Sequence, residues 1–133
     1  MEQSKVLIVD DEKDFLEAIV SRFRLRGFEV KGVGDGQTAL DCLQEDTPDV
    51  VVLDLKMPGM GGMEVLRRIK RDHPGVEVVI LTGHGSAEAG MDGVSLGAFA
   101  YLVKPVKLAE LVEKVEEARE WRKKAAWRTL EDD

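Results

Sequence analysis

The amino-acid sequence predicts a doubly wound α/β fold, in which helices cover both faces of a parallel sheet. Strand-like and helix-like segments alternate along all 133 residues. The strand-like segments, such as 50–53, are continuous apolar runs and do not alternate apolar with polar residues. Continuous runs are typical of strands buried on both faces, and alternation with helices favours parallel pairing through right-handed crossovers.

The first half of the chain contains three predicted strands and two predicted helices. Residues 5–9 form an apolar run rich in β-branched residues, which favours a strand. Residues 14–26 carry apolar side chains at helical spacing and stop at Gly27, a residue type that commonly follows a helix. The next three elements are a strand, a helix and a strand, at 28–33, 35–44 and 49–53.

The second half repeats the alternation and ends in a long helix. Its predicted elements are a helix, a strand, a helix, a strand and a helix, at 62–71, 76–81, 86–96, 100–103 and from 107 onward. The fourth helix contains Gly90 and Gly93, and each costs about 1 kcal/mol relative to alanine inside a helix. Two interpretations are open: the glycines keep this helix marginally stable so that it can reorder, or they permit close packing.

Composition and charge exclude several classes of protein. The net charge of -7 opposes binding to a phosphate backbone, so we expect no direct nucleic-acid partner. No apolar run is long enough to span a bilayer and no secretory signal is visible, so we expect a cytoplasmic protein without a membrane partner. The single cysteine, Cys42, excludes an intrachain disulfide.

Polar residues follow four of the apolar runs, at the point where each predicted strand ends. In chain order they are an acid pair, a lone acid, a hydroxyl and a lysine: Asp10 and Asp11, Asp54, Thr82, and Lys104. The carboxyl ends of parallel strands share one edge of a doubly wound sheet, and ligands bind there. The sequence therefore predicts a functional site at this edge.

The residue types at this edge indicate phosphoryl chemistry. Clustered carboxylates oppose joint ionisation unless a cation neutralises them, and oxygen ligands combined with phosphate suit Mg²⁺. Zinc is disfavoured because the only histidines are His73 and His84. Lys104 and Thr82 complete a pocket for a tetrahedral dianion, in which Asp54 is placed to attack phosphorus and form an aspartyl phosphate.

Taken in order, these residues resemble the receiver domain of two-component response regulators, especially receivers of the nitrogen-regulation type. The motifs that carry the resemblance are Asp-Leu-Lys-Met-Pro at 54–58, Leu-Thr-Gly-His-Gly at 81–85 and Lys-Pro at 104–105. The resemblance implies a five-stranded, flavodoxin-like sheet of order 2-1-3-4-5. It also implies a receiver domain over 1–120, followed by a helical extension of the last helix over 121–133.

The resemblance assigns roles in phosphoryl transfer. It implies that Asp54 is the phosphoacceptor and that Lys104 is the lysine that meets the phosphoryl group. Asp10 and Asp11 match the acidic pair that positions Mg²⁺. Asp54 itself and the backbone carbonyl of Lys56 match the remaining protein ligands of the metal.

The resemblance also assigns roles in switching and in phosphoryl lifetime. Thr82 and Tyr101 match a hydroxyl and an aromatic ring that move together, although an aromatic in an edge strand also packs without any further role. Lys56 and His84 stand at positions that influence how fast the phosphoryl group is lost, and the alternative is that both face solvent. Pro105 matches a proline that is often cis.

Several functions are compatible with this pattern to different degrees. A receiver takes its phosphoryl group from a histidine kinase or phosphotransfer protein and passes the signal to a downstream protein, or self-associates through the last two helices and the last strand. The chain is alternatively the detached receiver of a longer regulator with an effector domain. An aspartate-nucleophile phosphohydrolase is disfavoured, because Lys56 stands where such enzymes carry a second acid. We expect a phosphoacceptor that assists its own phosphorylation and dephosphorylation, not a turnover enzyme.

The last helix continues beyond the usual end of a receiver. Both tryptophans, Trp121 and Trp127, lie in the predicted extension. Exposed indoles often mark a contact surface, so the extension is predicted to pair with a partner or a second copy. The alternatives are that it folds back on the domain or leads to an effector.

Overall fold

The structure is a computed structural model that describes residues 4–83 and 87–132, with side chains described as far as residue 125. Its strands are β1 (Lys5–Val9), β2 (Glu29–Val33), β3 (Val50–Asp54), β4 (Glu77–Thr82) and β5 (Ala100–Val103). All of them are parallel and form one sheet of order β2-β1-β3-β4-β5. The predicted fold class and strand order are therefore confirmed.

Five helices connect and follow the strands. They are α1 (Lys13–Leu25), α2 (Gly36–Glu45), α3 (Gly62–Asp72), α4 (Ala87–Ser95) and α5 (Leu108–Asp132). The predicted boundaries differ from these by a residue or two. For example, β3 and β4 extend to Asp54 and Thr82, because Asp54 pairs with Leu81 and Thr82 with Val103.

The sheet is buried on both faces, as continuous apolar strands require. One face packs against α2 and α3, where Leu43 and Leu66 have no exposed surface. The other face packs against α1 and α5, where Phe23 and Leu111 are equally buried. Each such side chain stabilises the fold by about 1.5–3 kcal/mol relative to an exposed one. The two apolar layers hold the central strands, and thus their polar carboxyl ends, in fixed register.

The glycines of α4 lie against neighbouring side chains. A Cβ atom at Gly90 would stand 2.5 Å from ring carbons of Tyr101, and one at Gly93 would collide with Cδ1 of Ile80. Both contacts are closer than real carbon atoms allow, so glycine permits α4 to approach β4 and β5. This observation favours the close-packing interpretation of the two glycines.

The last helix crosses residue 120 without a break and remains attached to the domain there. Arg122 donates to Oδ1 of Asp49 and to the carbonyl of Gly75, both at 2.9 Å. Trp121 is 46% exposed, and the side chain of Trp127 lies outside the described ones. Within the described part of the chain, no helix has the length and apolar character needed to cross a membrane.

Candidate functional site

Four strand ends bring the predicted site residues to one edge of the sheet. Asp10 follows β1, Asp54 ends β3, Thr82 ends β4 and Lys104 follows β5. The buried polar residues among those described are Ser4, Asp10, Asp54 and Thr82, so three of the four lie at this edge. The backbone continues the sheet between them, because the N–H of Lys104 donates to the carbonyl of Thr82 at 2.8 Å.

Three carboxylates converge at the centre of this edge. Asp10, Asp11 and Asp54 each offer an oxygen atom, and these atoms all lie within 4.8 Å of one another. Asp10 and Asp54 are buried, and each is oriented by a backbone N–H two residues later: Oδ1 of Asp10 accepts from Glu12 at 2.9 Å, and Oδ1 of Asp54 from Lys56 at 3.1 Å. Asp11 is exposed and closes the cluster from the solvent side. A compact set of hard oxygen donors fits Mg²⁺.

The carboxyl group of Asp54 has an unusual affinity for protons. Burial raises the pKa of Asp54 from 3.8 to about 6, against the lowering effects of the Lys56 N–H and of Lys104. The neighbouring Asp10 and Asp11 raise it further. At neutral pH the group is still mostly ionised, in a place where water no longer stabilises the charge. A cation bound to the cluster would restore that stabilisation.

The ammonium group of Lys104 lies beside the cluster. Its Nζ is 2.8 Å from Oδ2 of Asp10, 3.1 Å from Oε1 of Glu12 and 3.9 Å from Oδ2 of Asp54. Burial by itself would lower the pKa of Lys104, but the hydrogen bonds to Asp10 and Glu12 raise it above its ordinary value. Lys104 therefore stays charged, and it stands within a short side-chain movement of Asp54.

Two neighbours of Lys104 were missed by sequence reasoning. Glu12 accepts a hydrogen bond from the ammonium group, and the ring of Phe15 lies beneath it, 4.5 Å from Nζ to the centroid. A signal for both exists in the sequence, since Glu12 directly follows the acid pair and Phe15 stands one helical turn later. Their approach to a residue some ninety positions away in the chain depends on the tertiary fold.

The two predicted switch residues lie on neighbouring strands. Thr82 is fully buried, and its hydroxyl donates to the carbonyl of Leu102 at 3.4 Å, a long hydrogen bond. Tyr101 pairs in register with Ile80, is half-buried and packs against Gly90 of α4. The hydroxyl of Thr82 thus bonds to the backbone of β5, and the ring of Tyr101 lies against α4.

The remaining predicted residues surround the site. Lys56 is exposed, and its side chain reaches over Gly83, where a Cβ atom would stand 3.5 Å from Nζ. The Lys104–Pro105 peptide bond is cis. His84 lies outside the described residues.

The fold and site define a class of protein: a single doubly wound domain with an oxygen-rich cation cluster, a lysine and a buried hydroxyl at the carboxyl edge of its sheet. The family model of the response regulator receiver domain matches residues 6–116. The chain belongs to this family, the phosphoacceptor domain of two-component response regulators.

Two relatives are regulatory proteins longer than this chain. The transcriptional regulatory protein PrrA of Mycobacterium bovis is 40% identical over 111 residues, which are 84% of this chain and 48% of PrrA. The regulatory protein AtoC of Escherichia coli is 34% identical over 108 residues, 81% of this chain and 23% of AtoC. The chain thus spans about half, or less, of the length of these relatives.

Solved structures of receivers share the fold. A response regulator receiver domain protein from Clostridium thermocellum is 36% identical, with a TM-score of 0.86 over 90% of this chain and 97% of that one. NtrX from Brucella abortus, solved in complex with ADP, is 29% identical, with a TM-score of 0.92 over 96% of this chain and 30% of that one.

Proposed function

We propose that the chain accepts a phosphoryl group on Asp54 from a phosphohistidine of a histidine kinase or phosphotransfer protein, and thereby switches a protein-interaction face. The observation that carries this proposal is the cluster of Asp10, Asp11 and Asp54, with oxygen atoms within 4.8 Å of one another, beside the ammonium of Lys104. The carboxylates can hold a cation and the ammonium is itself positive, and a transferring phosphoryl group requires such positive charges.

The transfer step follows from the groups at the site. A carboxylate oxygen of Asp54 attacks phosphorus and forms an oxygen–phosphorus bond. The nitrogen–phosphorus bond of the donor breaks, and its electron pair returns to the imidazole, which takes up a proton. Asp54 must be ionised to attack, and its pKa of about 6 leaves it mostly so at neutral pH.

The neighbouring residues stabilise the charge on the transferring group. Mg²⁺, held by Asp10, Asp11, Asp54 and the backbone carbonyl of Lys56, would neutralise charge on the phosphoryl oxygens when bound. Lys104 supplies a positive charge at neutral pH, because its hydrogen bonds to carboxylates keep it protonated. The Asp54 carboxylate is already oriented by the N–H of Lys56, which limits the reorganisation that the attack requires.

The proposed switch consists of Thr82 and Tyr101. Among the described residues, the hydroxyl of Thr82 forms a hydrogen bond with the carbonyl of Leu102, which is long at 3.4 Å, so phosphoryl oxygens on Asp54 are a stronger acceptor for it. As Thr82 turns toward Asp54, Tyr101 is free to follow and to change the surface formed by α4, β5 and α5. A downstream protein or a second copy that prefers one arrangement reads the signal.

Mass spectrometry tests the acceptor. Incubation with acetyl phosphate and Mg²⁺ should add one phosphoryl group, and Asp54→Asn should abolish the addition. Asp41→Asn, an exposed acid on α2, is the matched control and should be labelled like the unmodified protein. Continued labelling of Asp54→Asn would contradict the assignment.

Steady hydrolysis of small phosphate esters would instead favour the phosphohydrolase alternative. That alternative requires an acid/base group beside the nucleophile. The residue two positions after Asp54 is Lys56, which is exposed and cannot serve as a carboxylic acid. We therefore expect stoichiometric labelling followed by slow loss of the phosphoryl group.

A further inference from the structure

The ammonium group of Lys104 is held on the acid-pair side of the site, not at the acceptor. Its Nζ lies 2.8 Å from Asp10 and 3.1 Å from Glu12, whereas the nearest oxygen of Asp54 is 3.9 Å away. The first two distances are those of charge-assisted hydrogen bonds, and the third is longer than a hydrogen bond. In this structure Lys104 is therefore hydrogen-bonded to Asp10 and Glu12 and not to Asp54.

Two of the groups that hold Lys104 come from the start of α1. Glu12 is the N-cap residue of α1, yet its side chain makes no capping hydrogen bond and is directed to Lys104 instead. Phe15, one turn later, places its ring 4.5 Å from the ammonium nitrogen, within the range of a cation–π interaction. The start of this helix thus provides a carboxylate and a ring that together define one position for the lysine.

We propose that Glu12 is a positioning residue that holds Lys104 away from Asp54, and so weakens the bond between Lys104 and a phosphoryl group on Asp54. The inference rests on the proposed function, in which Asp54 is the acceptor. An ammonium group has three N–H donors, and Asp10 and Glu12 occupy two of them in this structure. A dianionic phosphoryl group on Asp54 competes with these carboxylates for the N–H donors of Lys104. Each competing carboxylate weakens the bond between Lys104 and the phosphoryl group.

The expected effect is modest because Glu12 is accessible to water. Its side chain is 64% exposed, whereas that of Asp10 is fully buried. Screened ion pairs of this kind change an equilibrium by about two- to fivefold. Removal of the Glu12 contact should therefore tighten the binding of a phosphoryl mimic by about that factor. Helix α1 should persist, since the Glu12 side chain does not cap it.

A simpler explanation is that Glu12 only adds negative charge to the neighbourhood of the site. Two substitutions separate this from a direct contact. Glu12→Gln keeps the length of the side chain and removes the charge, whereas Glu12→Asp keeps the charge and shortens the reach. A long-range charge effect predicts that only Glu12→Gln changes mimic binding. Positioning of Lys104 predicts that both substitutions change it in the same direction.

The experiment is a titration with beryllofluoride in excess Mg²⁺, in which fluorine NMR measures the bound fraction. The chains compared are the unmodified protein, Glu12→Gln, Glu12→Asp and the control Glu17→Gln, an exposed acid of α1 that forms no ion pair in the described structure. We expect the dissociation constant of the mimic to fall about two- to fivefold in both Glu12 variants and to stay unchanged in the control. A constant that is unchanged or higher in Glu12→Asp would overturn the proposal.

A second measurement needs neither metal nor mimic. Acylation of Lys104 by an amine-reactive ester, mapped by mass spectrometry in the presence of EDTA, reports how firmly the amino group is held. Both Glu12 variants should react faster at Lys104, and unchanged rates would count against positioning. Failure of the unmodified protein to bind beryllofluoride would contradict the proposed function instead, so the two failures are distinguishable.

Discussion

Replacement of Asp54 by asparagine should stabilise the metal-free protein at neutral and higher pH. Asp54 is 4% exposed, and burial raises its pKa from 3.8 to about 6. The folded state therefore binds this proton more tightly than the unfolded chain does. Stability from this group is fully present below pH 4 and is lost as the pH rises to about 6, which is the reverse of a carboxylate held by a salt bridge.

The magnitude follows from the shift in pKa. A difference of about two units corresponds to roughly 3 kcal/mol, because each unit is worth about 1.4 kcal/mol. Asparagine is neutral at every pH, and its side-chain oxygen can still accept the hydrogen bond from the N–H of Lys56. Asp54→Asn should thus be more stable by up to about 3 kcal/mol at pH 8, and by less than about 1 kcal/mol at pH 4.

Urea unfolding in EDTA, at pH 4, 6 and 8, measures this difference. Asp41→Asn, on the exposed side of α2, is the control and should change stability by less than about 0.5 kcal/mol. Excess Mg²⁺ should reduce the advantage of Asp54→Asn, because the ion neutralises the carboxylate that the substitution removes. A stability difference that is independent of pH, or a variant less stable than the unmodified protein at pH 8, would refute the argument from burial.

Three further predictions concern the metal, α4 and α5. Saturating Mg²⁺ should raise the free energy of unfolding of the unmodified protein, by about 2.7 kcal/mol at a Mg²⁺ concentration of a hundred times the dissociation constant. Thermal unfolding with and without Mg²⁺ measures this change. Asp10→Asn, which removes a proposed ligand, should show no such rise. Gly93→Ala should destabilise the fold by about 1–2 kcal/mol despite the higher helix propensity of alanine, because the added Cβ would collide with Ile80. The control Asp92→Ala, on the exposed side of the same helix, should not destabilise the fold. Equal urea midpoints for the two variants would contradict close packing. Arg122→Ala should cost up to about 1 kcal/mol and speed amide exchange around residue 122, because it breaks the 2.9 Å contacts with Asp49 and Gly75; unaltered exchange would show that these contacts do not hold α5.

The sequence by itself determined the fold class, for physical reasons that are local, whereas the strand order followed from the resemblance to receiver domains. Continuous apolar runs such as that of β3 are stable only when both faces of a strand are covered, and helices between such strands force parallel connections. The polar residue at the end of each run then falls at one edge of the sheet. Their positions at the ends of apolar runs predict this edge for Asp10, Asp54, Thr82 and Lys104, and the fold brings them there.

The packing of α4 was left open by the sequence. A glycine inside a helix is compatible with a weak helix and with a close contact, and only the position of the neighbouring chain decides between them. The ring of Tyr101 and the end of Ile80 occupy the space that side chains at Gly90 and Gly93 would need. These contacts join residues of different elements, so no local pattern in α4 encodes them.

The surroundings of Lys104 likewise depend on tertiary structure. The sequence identified a lysine at the end of a strand, but the partners of its ammonium group are fixed by how β5 and the start of α1 meet across the sheet edge. Glu12 and Phe15 become its neighbours through packing, and Asp54 acquires its raised pKa through burial between β1 and β4. Residue type and strand order thus determine which groups reach the site. The distances between these groups and their burial arise only when the whole domain is assembled. Distance and burial in turn govern the charge state of each group and its competition for hydrogen-bond partners.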